Sequence, residues 1–277
     1  RDVVNNWVSE KVAERWGGRF ATLGDKRVGS EDFHSKEVVR YVGIPRMSSV
    51  ARHLAKGIAV EFETRVLRLH RANSHWKVTT NQGILPIAFD AVVLAVPPDQ
   101  AVSILGSGDE FLPGLDEVSM LPCWAVMVAF EKPLGLPFDA AFVHESPLSW
   151  VARNSSKPWR KNGECWILHG SPEWSSHHFD AESDWISESL LSAFFKATGY
   201  EACAPTWVKT HRWRYALAAN PISEECLWDP KKGVGVCGDW CHGSRVEGAF
   251  LSGKALASRI LERVEEYWSA PILVGLS

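Results

Sequence analysis

The sequence lacks an apolar run long enough to cross a membrane. Nowhere in its 277 residues do apolar residues approach the roughly 20 in a row that a spanning helix needs. No signal-peptide pattern stands at the start. The chain begins at Arg1, without Met, and runs directly into a helix-like segment. We therefore expect a fragment or trimmed product that has no membrane partner.

An excess of charge of either sign is also lacking. Thirty Lys and Arg oppose 33 Asp and Glu, which leaves a formal net charge of -3 and a pI near 6.4. This balance argues against a general nucleic-acid binder or a protein that binds anionic membranes. Hydrophobic residues make up 45% and charged residues 23%, which is typical of a soluble globular protein of one large or two ordinary domains.

Cysteine spacing does not form a disulfide framework. The six cysteines are irregularly placed in a chain of this size, so we expect reduced thiols in a cytosolic, stromal or similar compartment. Cys237, Cys241 and His242 form a C-x3-C-H cluster. Zinc sites usually need four ligands in two separated pairs, so we expect no metal site and attribute the two cysteines to the borders of a turn.

The pattern of elements predicts an α/β fold interrupted by a sheet-rich insertion. Apolar spacing predicts a helix over 2–16, and "FDAVVLAVPP" has the form of a buried strand. Short strand candidates then recur at regular intervals through the middle third, followed by an amphipathic helix that ends at Gly199. We predict a discontinuous dinucleotide-binding domain over 37–120 and 233–268, a sheet-rich substrate domain over 121–232, and a helical segment over 1–36 on the substrate side.

The stretch "GVGVCGDWCHGSRVEGAFLSGKALASRIL", from 233 to 261, indicates a strand, a tight turn and a helix. Such a unit presents a helix N-terminus to an anionic or polar ligand. Gly238 allows close backbone approach, and Asp239 can accept hydrogen bonds from ligand hydroxyls. The alternatives are an ordinary Asp in a loop and a surface helix that packs through small residues such as Gly248 and Gly253.

Taken together, four stretches resemble the FAD-dependent amine oxidase superfamily, and more narrowly its renalase-like branch. "RYVGIPRMSSVARHLA" is similar to the segment before that family's second nucleotide-binding strand. "ETRVLRLHRANSHWKVTTNQG" with "FDAVVLAVPPDQAVSIL" is similar to its hairpin and following strand. "HRWRYALAAN" resembles the strand leading into its active site, and the Gly-Asp turn with its helix completes the set. The match spans residues 40 to 262.

The resemblance implies FAD as cofactor and assigns site residues. The backbone around Arg65, Val66 and Leu67 is expected at the adenine side, and Pro97 and Pro98 beside the cofactor channel. Asp239, next to Gly238, is expected at the ribityl or pyrophosphate region. The N–H groups of Val246 and Glu247 are expected at the N1/C2-carbonyl edge of the ring, where reduced flavin gathers negative charge. The cofactor-binding residues are thus Arg65, Val66, Pro97, Pro98, Gly238, Asp239, Arg245, Val246, Glu247 and Gly248.

The substrate side is expected at Trp213, Arg214 and Tyr215, with Arg214 pairing an anionic group. The alternative is a strand whose residues alternate between core and solvent. Fourteen Trp against four Tyr also suggest that some Trp side chains line a ligand cavity, although most pack in the core. No residue is assigned a catalytic acid or base role.

The sequence departs from the family at its start. Members begin with a strand, a GxGxxG turn and a helix that hold the pyrophosphate, and this chain does not begin with such a unit. We therefore expect an N-terminally truncated, Rossmann-like FAD-binding fold with an inserted antiparallel sheet. The expected reaction is hydride transfer from a dihydronicotinamide-type or amine substrate to FAD. The alternative is a non-catalytic scaffold that acts as a ligand-binding or interaction module.

Overall fold

A computed structural model describes residues 2–24, 38–106, 112–161 and 163–269 of the chain. The described residues fold into two compact units, one drawn from 1–60 and 122–213 and the other from 61–121 and 214–277. Helices and strands are mixed in both, so the α/β prediction is confirmed. Residues 38–60, predicted within the FAD-binding domain, cluster with the first unit. No helix in these ranges is long and apolar enough to cross a bilayer.

The N-terminal part of the first unit is only partly helical. Helix α1 (Asp2–Ser9) ends before Lys11, whose φ of 57° turns the backbone, and β1 (Ala13–Arg15) follows. The predicted helix over 2–16 is therefore too long, because β1 pairs antiparallel with a distant strand, β3 (Tyr41–Gly43). Strand β2 (Phe20–Leu23) also lies in the segment predicted to be helical, and residues 25–37 fall outside the described ranges.

Within the described residues, an extended sheet of six strands forms the centre of the first unit. Besides β2, its strands are β8 (Met120–Phe130), β9 (Ala140–Val143), β10 (Leu148–Arg153), β11 (Glu164–Gly170) and β12 (Trp207–Ala218). Their order in the sheet is β12-β8-β11-β10-β9-β2, with antiparallel pairs among β8 to β11 and a parallel pair between β9 and β2. The antiparallel middle part predicted from the sequence is thus present.

One face of this sheet packs against helices and forms the main core. Besides α1, the described helices of this unit are α2 (Ser49–Leu54), α4 (Pro172–His177) and α5 (Ser183–Thr198). Alternate residues of β8, β10 and β11, such as Val126, Val151 and Leu168, are fully buried there against Leu190 of α5. Helix α5 ends at Gly199, whose φ of 66° is the left-handed cap that the sequence predicted.

The second unit combines a short parallel pair with a meander. Strand β7 (Val92–Leu94) pairs parallel with β14 (Val234–Val236), which pairs antiparallel with β13 (Leu227–Asp229). The meander consists of β4 (Val66–Ala72), β5 (His75–Thr80) and β6 (Gly83–Ile84). Helices α3 (Pro98–Leu105) and α6 (Val246–Ser269) complete this unit. Buried residues of β7, β14, α3 and the meander, including Leu69, Trp76, Ala101, Val236 and Trp240, share one core.

A buried carboxylate ties three strands of the first unit together. Asp139 is only 6% exposed. Its carboxylate accepts from the backbone N–H of Arg19 at 2.9 Å, from Arg19 Nε at 3.0 Å and from Arg153. Burial alone would raise the pKa of Asp139, but the hydrogen bonds from the two arginines outweigh it and lower the pKa to about 2.

Replacing Asp139 tests the hydrogen-bond network that it forms with Arg19 and Arg153. We expect Asp139→Asn to lower the free energy of unfolding by about 2–4 kcal/mol at pH 7, because two guanidinium groups lose their anion. Since the folded-state pKa is depressed, this contribution is fully present above about pH 4 and is lost as the pH falls towards 2. Urea unfolding of both chains between pH 7 and pH 2.5 measures the difference.

The matched control is Asp180→Asn. The Asp180 side chain is 92% exposed and pairs with Arg212 at 3.2 Å on the surface, so we expect a change below about 0.5 kcal/mol. Equal effects of the two substitutions, or a difference that persists unchanged to pH 2.5, would contradict the role given to Asp139.

Candidate functional site

Most of the predicted cofactor residues, namely Pro97, Pro98 and those within 238–248, lie at one sheet edge of the second unit. Because β7 and β14 run parallel, both strands end there. The N–H of Cys237 extends the pairing by donating to the carbonyl of Leu94 at 3.1 Å. The indole N–H of Trp240 then donates to the carbonyl of Val96 at 3.3 Å. The turn after β14 is thereby fixed to the turn after β7, at the carboxyl ends of parallel strands, where open α/β sheets bind ligands.

The Gly238-Asp239 turn is held by its backbone. The N–H of Gly238 donates to the Ser252 hydroxyl at 3.1 Å. The carbonyl of Asp239 accepts from the N–H groups of His242 and Ser244, each at 2.9 Å. The Asp239 side chain is half-buried. No hydrogen bond or ion pair within the described ranges engages its carboxylate, which leaves it available to ligand hydroxyls.

Helix α6 begins beside this turn with its first residues open to solvent. Val246 is 62% exposed, and Glu247 is exposed as well. The N–H groups of a first helical turn have no intrahelical partner and lie at the positive end of the helix dipole. Gly248 is buried against the preceding turn. A Cβ there would lie 2.8 Å from His242 Cβ and 2.9 Å from the His242 carbonyl oxygen. Only glycine lets the helix start this close.

Pro97 and Pro98 lie at the same edge. Pro97 caps α3, and its carbonyl accepts from the N–H groups of Gln100 and Ala101, both at 3.0 Å. Pro98 is buried, whereas Pro97 is half-buried. Since Val96 receives the Trp240 hydrogen bond, the proline turn and the Gly-Asp turn are neighbours.

Arg65, Val66 and Leu67 lie at the start of β4. Arg65 is exposed, and its backbone exchanges hydrogen bonds with Asn81, from its N–H to Oδ1 at 2.8 Å and from the Asn81 N–H to its carbonyl at 2.9 Å. Val66 packs against the core that contains Trp240. The structure therefore connects these residues to the site through the core, whereas a role at the adenine stays a prediction.

The predicted substrate residues lie on β12. Side chains alternate along a strand, so Trp213 and Tyr215 share one face and Arg214 points to the other. Trp213 and Arg214 are both exposed and Tyr215 is half-buried, so the residues do not alternate between core and solvent, and a substrate role for them stays a prediction. Towards its end, β12 reaches the turn before α6, because the N–H of Ala218 donates to the Ser244 hydroxyl at 2.7 Å.

Sequence reasoning missed the residues that hold the site. Ser252 and Trp240 are buried, and Ser244 anchors β12; all three lie within the stretch 233–261 that resembles the family, but none was predicted as a site residue. The spacing GxGxxG does occur at 233–238, but its central glycine lies within β14 and not in a turn before a helix. A Cβ on Gly235 would lie 2.8 Å from Leu256 Cδ1, so this glycine serves helix packing.

The thiols of Cys237 and Cys241, near the site, are buried, and we expect them to react slowly. Burial raises the pKa of Cys241 to about 11, although the Ser252 hydroxyl and the Gly238 backbone act in the opposite direction. Burial likewise raises the pKa of Cys237. Cys203, in contrast, is exposed. All six cysteines are free thiols.

This contrast predicts the order of thiol modification. At pH 7.5, a thiol-specific aromatic disulfide reagent should modify Cys203 first, because a thiolate there is accessible. Cys237 and Cys241 should react only at the rate of unfolding. Peptide mass spectrometry after timed quenching measures this order. Modification of Cys241 as fast as Cys203 in the folded chain would contradict the placement of the turn.

Two glycines of α6 form a matched pair for testing the helix start. We expect Gly248→Ala to lower the free energy of unfolding by about 1–3 kcal/mol, because its methyl group would overlap His242. Gly253 has no neighbouring atom within 4 Å of such a methyl group, so Gly253→Ala should raise stability by about 0.5–1 kcal/mol. Urea unfolding compares the two variants, and a stabilising Gly248→Ala would contradict the close approach.

This chain is similar to one known protein family and to several solved structures. The family model described as "Flavin containing amine oxidoreductase" matches residues 25–261. Among solved structures, a putative protoporphyrinogen oxidase from Exiguobacterium sp. 255-15 is 16% identical, with a TM-score of 0.63 over 78% of this chain and 51% of that one. A putrescine oxidase bound to putrescine is 17% identical, with a TM-score of 0.60 over 81% and 54%.

A third structure, cyclohexylamine oxidase from Brevibacterium oxydans IH-35A, is 16% identical, with a TM-score of 0.59 over 79% of this chain and 53% of that one. The chain thus spans about half the length of these proteins, and at such identities the likeness concerns the fold. The family match covers most of the chain and confirms the predicted superfamily and its flavin cofactor. The chain belongs to the flavin-containing amine oxidoreductase family.

Proposed function

We propose that this chain acts as an FAD-dependent oxidoreductase that removes a hydride from a small organic substrate. The single observation that carries the proposal is the edge formed by the Gly238-Asp239 turn and the start of α6. There an unpartnered carboxylate and exposed first-turn N–H groups lie beside the carboxyl ends of two parallel strands. Family membership supports the same conclusion.

The residues present fit a flavin. The Asp239 carboxylate suits ribityl or ribose hydroxyls, which are hydrogen-bond donors. The N–H groups of Val246 and Glu247 suit an electron-rich ring edge, because the helix dipole stabilises negative charge there. Gly248 keeps the helix start close to the turn, so both sets of groups stay in a fixed relation. Bound FAD would supply the electron-accepting ring.

The chain's own contribution is orientation and charge stabilisation. Pro97 fixes the turn after β7 and removes a backbone N–H from the channel border. The Ser252 hydroxyl accepts from Gly238 and holds the turn in place without using the Asp239 side chain. Negative charge that develops on the bound ring would be stabilised by the first turn of α6.

Within the amine oxidase superfamily, we assign the chain to the renalase-like branch, with a dihydronicotinamide-type or amine substrate. The four stretches between residues 40 and 262 support this branch. Solved relatives include oxidases that are named for putrescine and for cyclohexylamine, which supports amines as one substrate class. Reoxidation by oxygen or another acceptor completes the proposed cycle.

A titration of FAD into the purified chain tests this proposal. We expect saturable quenching of flavin fluorescence and a structured visible band. Asp239→Ala should weaken FAD binding roughly tenfold, because it removes a charged hydrogen-bond acceptor. Asp180→Ala, on the surface of the first unit, should leave the affinity unchanged. Both variants should keep the unfolding midpoint of the parent within a few degrees.

Two results would contradict the proposal. Equal losses of affinity in the two variants would show that Asp239 has no special role. Absence of flavin binding to the purified chain at high concentration would favour the non-catalytic scaffold.

A further inference from the structure

Two cysteines of the second unit lie opposite each other at one end of the β13–β14 pair. Cys226 directly precedes β13, and Cys237 directly follows β14. The antiparallel register of these strands pairs Leu227 with Val236, and its next step brings Cys226 opposite Cys237. Residues that are directly opposite in an antiparallel pair project to the same side of the sheet. We call these two residues the cysteine pair.

Contacts with α6 confirm that both side chains of the cysteine pair are on one face. Cys226 is fully buried, and Cys237 is 6% exposed. Both belong to the cluster of buried residues that contains Leu256 of α6. Gly235 lies two residues before Cys237, on the same face of β14, and a Cβ there would also contact Leu256. The two thiols therefore share the face of the strands that packs against α6.

The backbone around the cysteine pair has the close spacing of a non-hydrogen-bonded pair. The N–H of Cys237 donates to the carbonyl of Leu94 on β7, at 3.1 Å, and so points away from β13. The carbonyl of Cys226 accepts from the Arg259 guanidinium at 3.3 Å. In non-hydrogen-bonded antiparallel pairs the Cα atoms lie about 4.5 Å apart, and disulfides usually span Cα separations of about 4.4–6.8 Å. A disulfide is thus within reach without a change of register.

Burial determines which oxidant can act on the cysteine pair. Burial raises the pKa of both thiols, and the neighbouring Cys226 raises the pKa of Cys237 further. Both thiols are therefore protonated at pH 7 and react slowly. Access is the second limit on thiol oxidation. Hydrogen peroxide is hardly larger than water, so it reaches thiols that a bulky aromatic reagent does not.

We propose that Cys226 and Cys237 form a reversible disulfide when the folded chain meets hydrogen peroxide. One thiol attacks the O–O bond, which gives a sulfenic acid and one water. The second thiol then attacks that sulfur, the S–S bond forms, and the sulfenic oxygen leaves as a second water. The two thiols together lose two electrons and two protons, and one peroxide is reduced to two waters. A dithiol reductant reverses the change.

The disulfide would act on the edge proposed to bind the cofactor. Cys237 directly precedes Gly238, so the bond would tie the end of β14 to β13 immediately before the Gly-Asp turn. The inference goes beyond the proposed function and does not rest on it, because peroxide from any source would suffice. If the proposed function holds, reoxidation by oxygen would release hydrogen peroxide beside the cysteine pair.

Peptide mapping of the peroxide-treated chain tests the proposal. Trypsin cleaves after Lys231 and Lys232, which separates the peptide that contains Cys226 from the one that contains Cys237. After millimolar peroxide at pH 8 and alkylation, we expect these two peptides joined, about 2 Da lighter than their sum, and released by dithiothreitol. Because the raised pKa values leave less thiolate at lower pH, the joined peptides should form roughly tenfold more slowly at pH 7.

Single substitutions identify the partners in the bond. Cys226→Ala and Cys237→Ala should each abolish the joined peptides. Cys241→Ala should leave their yield unchanged, because the register does not place Cys241 opposite Cys226. Cys123→Ala is the matched control in the first unit. The Cys123 thiol is also buried, with its pKa raised to about 11, and its loss should change nothing.

Three results would overturn the proposal. Joined peptides that survive in Cys237→Ala would assign the bond to Cys241. Sulfinic or sulfonic acid at Cys226 without joined peptides would show that the two sulfurs do not meet. Joined peptides that form only after unfolding in urea would show that the folded chain does not hold the pair. Fragmentation of the joined peptides from the unaltered chain distinguishes Cys237 from Cys241 even if an alanine variant fails to fold.

Discussion

The parallel pairing of β14 with β7 is the constraint on which the edge proposed to bind the cofactor depends. Three residues of each strand are in register, and the N–H of Cys237 extends the ladder to the carbonyl of Leu94. Because the strands end together, the chain has to turn at Gly238 directly beside the turn at Pro97. The indole of Trp240 then fixes the two turns to each other through Val96. Without this register, neither Asp239 nor the start of α6 would lie at the same edge.

Hydrogen bonding around the turn shows which groups serve structure and which remain available. The hydroxyls of Ser252 and Ser244 accept backbone N–H groups, and the carbonyl of Asp239 accepts two more. These bonds satisfy the backbone of the turn locally, while the Asp239 carboxylate contributes to none of them. A half-buried carboxylate with no partner among the described residues is a cost to folding that a bound ligand would offset.

Local patterns in the sequence were sufficient to predict the strand, turn and helix over 233–261. They also sufficed for the buried strand before Pro97 and the capped helix that ends at Gly199. Each of these depends on residues close together in the chain, where period and cap chemistry act directly. The predicted helix over 2–16 failed because Ala13–Arg15 pairs with Tyr41–Gly43, and a distant partner overrides local spacing. The register of β14 and β7 joins residues about 140 positions apart, so the roles of Trp240 and Ser252 did not follow from the signature that contains them.

The order of side chains across the six-stranded sheet was beyond sequence reasoning for the same reason. Thr22, Phe142, Trp150 and His169 come from four strands, and only the pairing of those strands brings them into one row. The sequence did suggest, from its many Trp residues, that some line a ligand surface. It instead predicted a substrate role for Trp213, Arg214 and Tyr215, which strand alternation places on two faces of β12.

Hydrogen–deuterium exchange with and without FAD reports where the backbone becomes protected by the cofactor. We expect slower exchange in peptides covering 237–250 when FAD is added, since the turn and the first N–H groups of α6 would be engaged. Peptides from the six-stranded sheet, such as 164–170, should exchange as before. Protection confined to the sheet, with the turn and α6 unchanged under saturating FAD, would contradict the assignment of this edge as the flavin site.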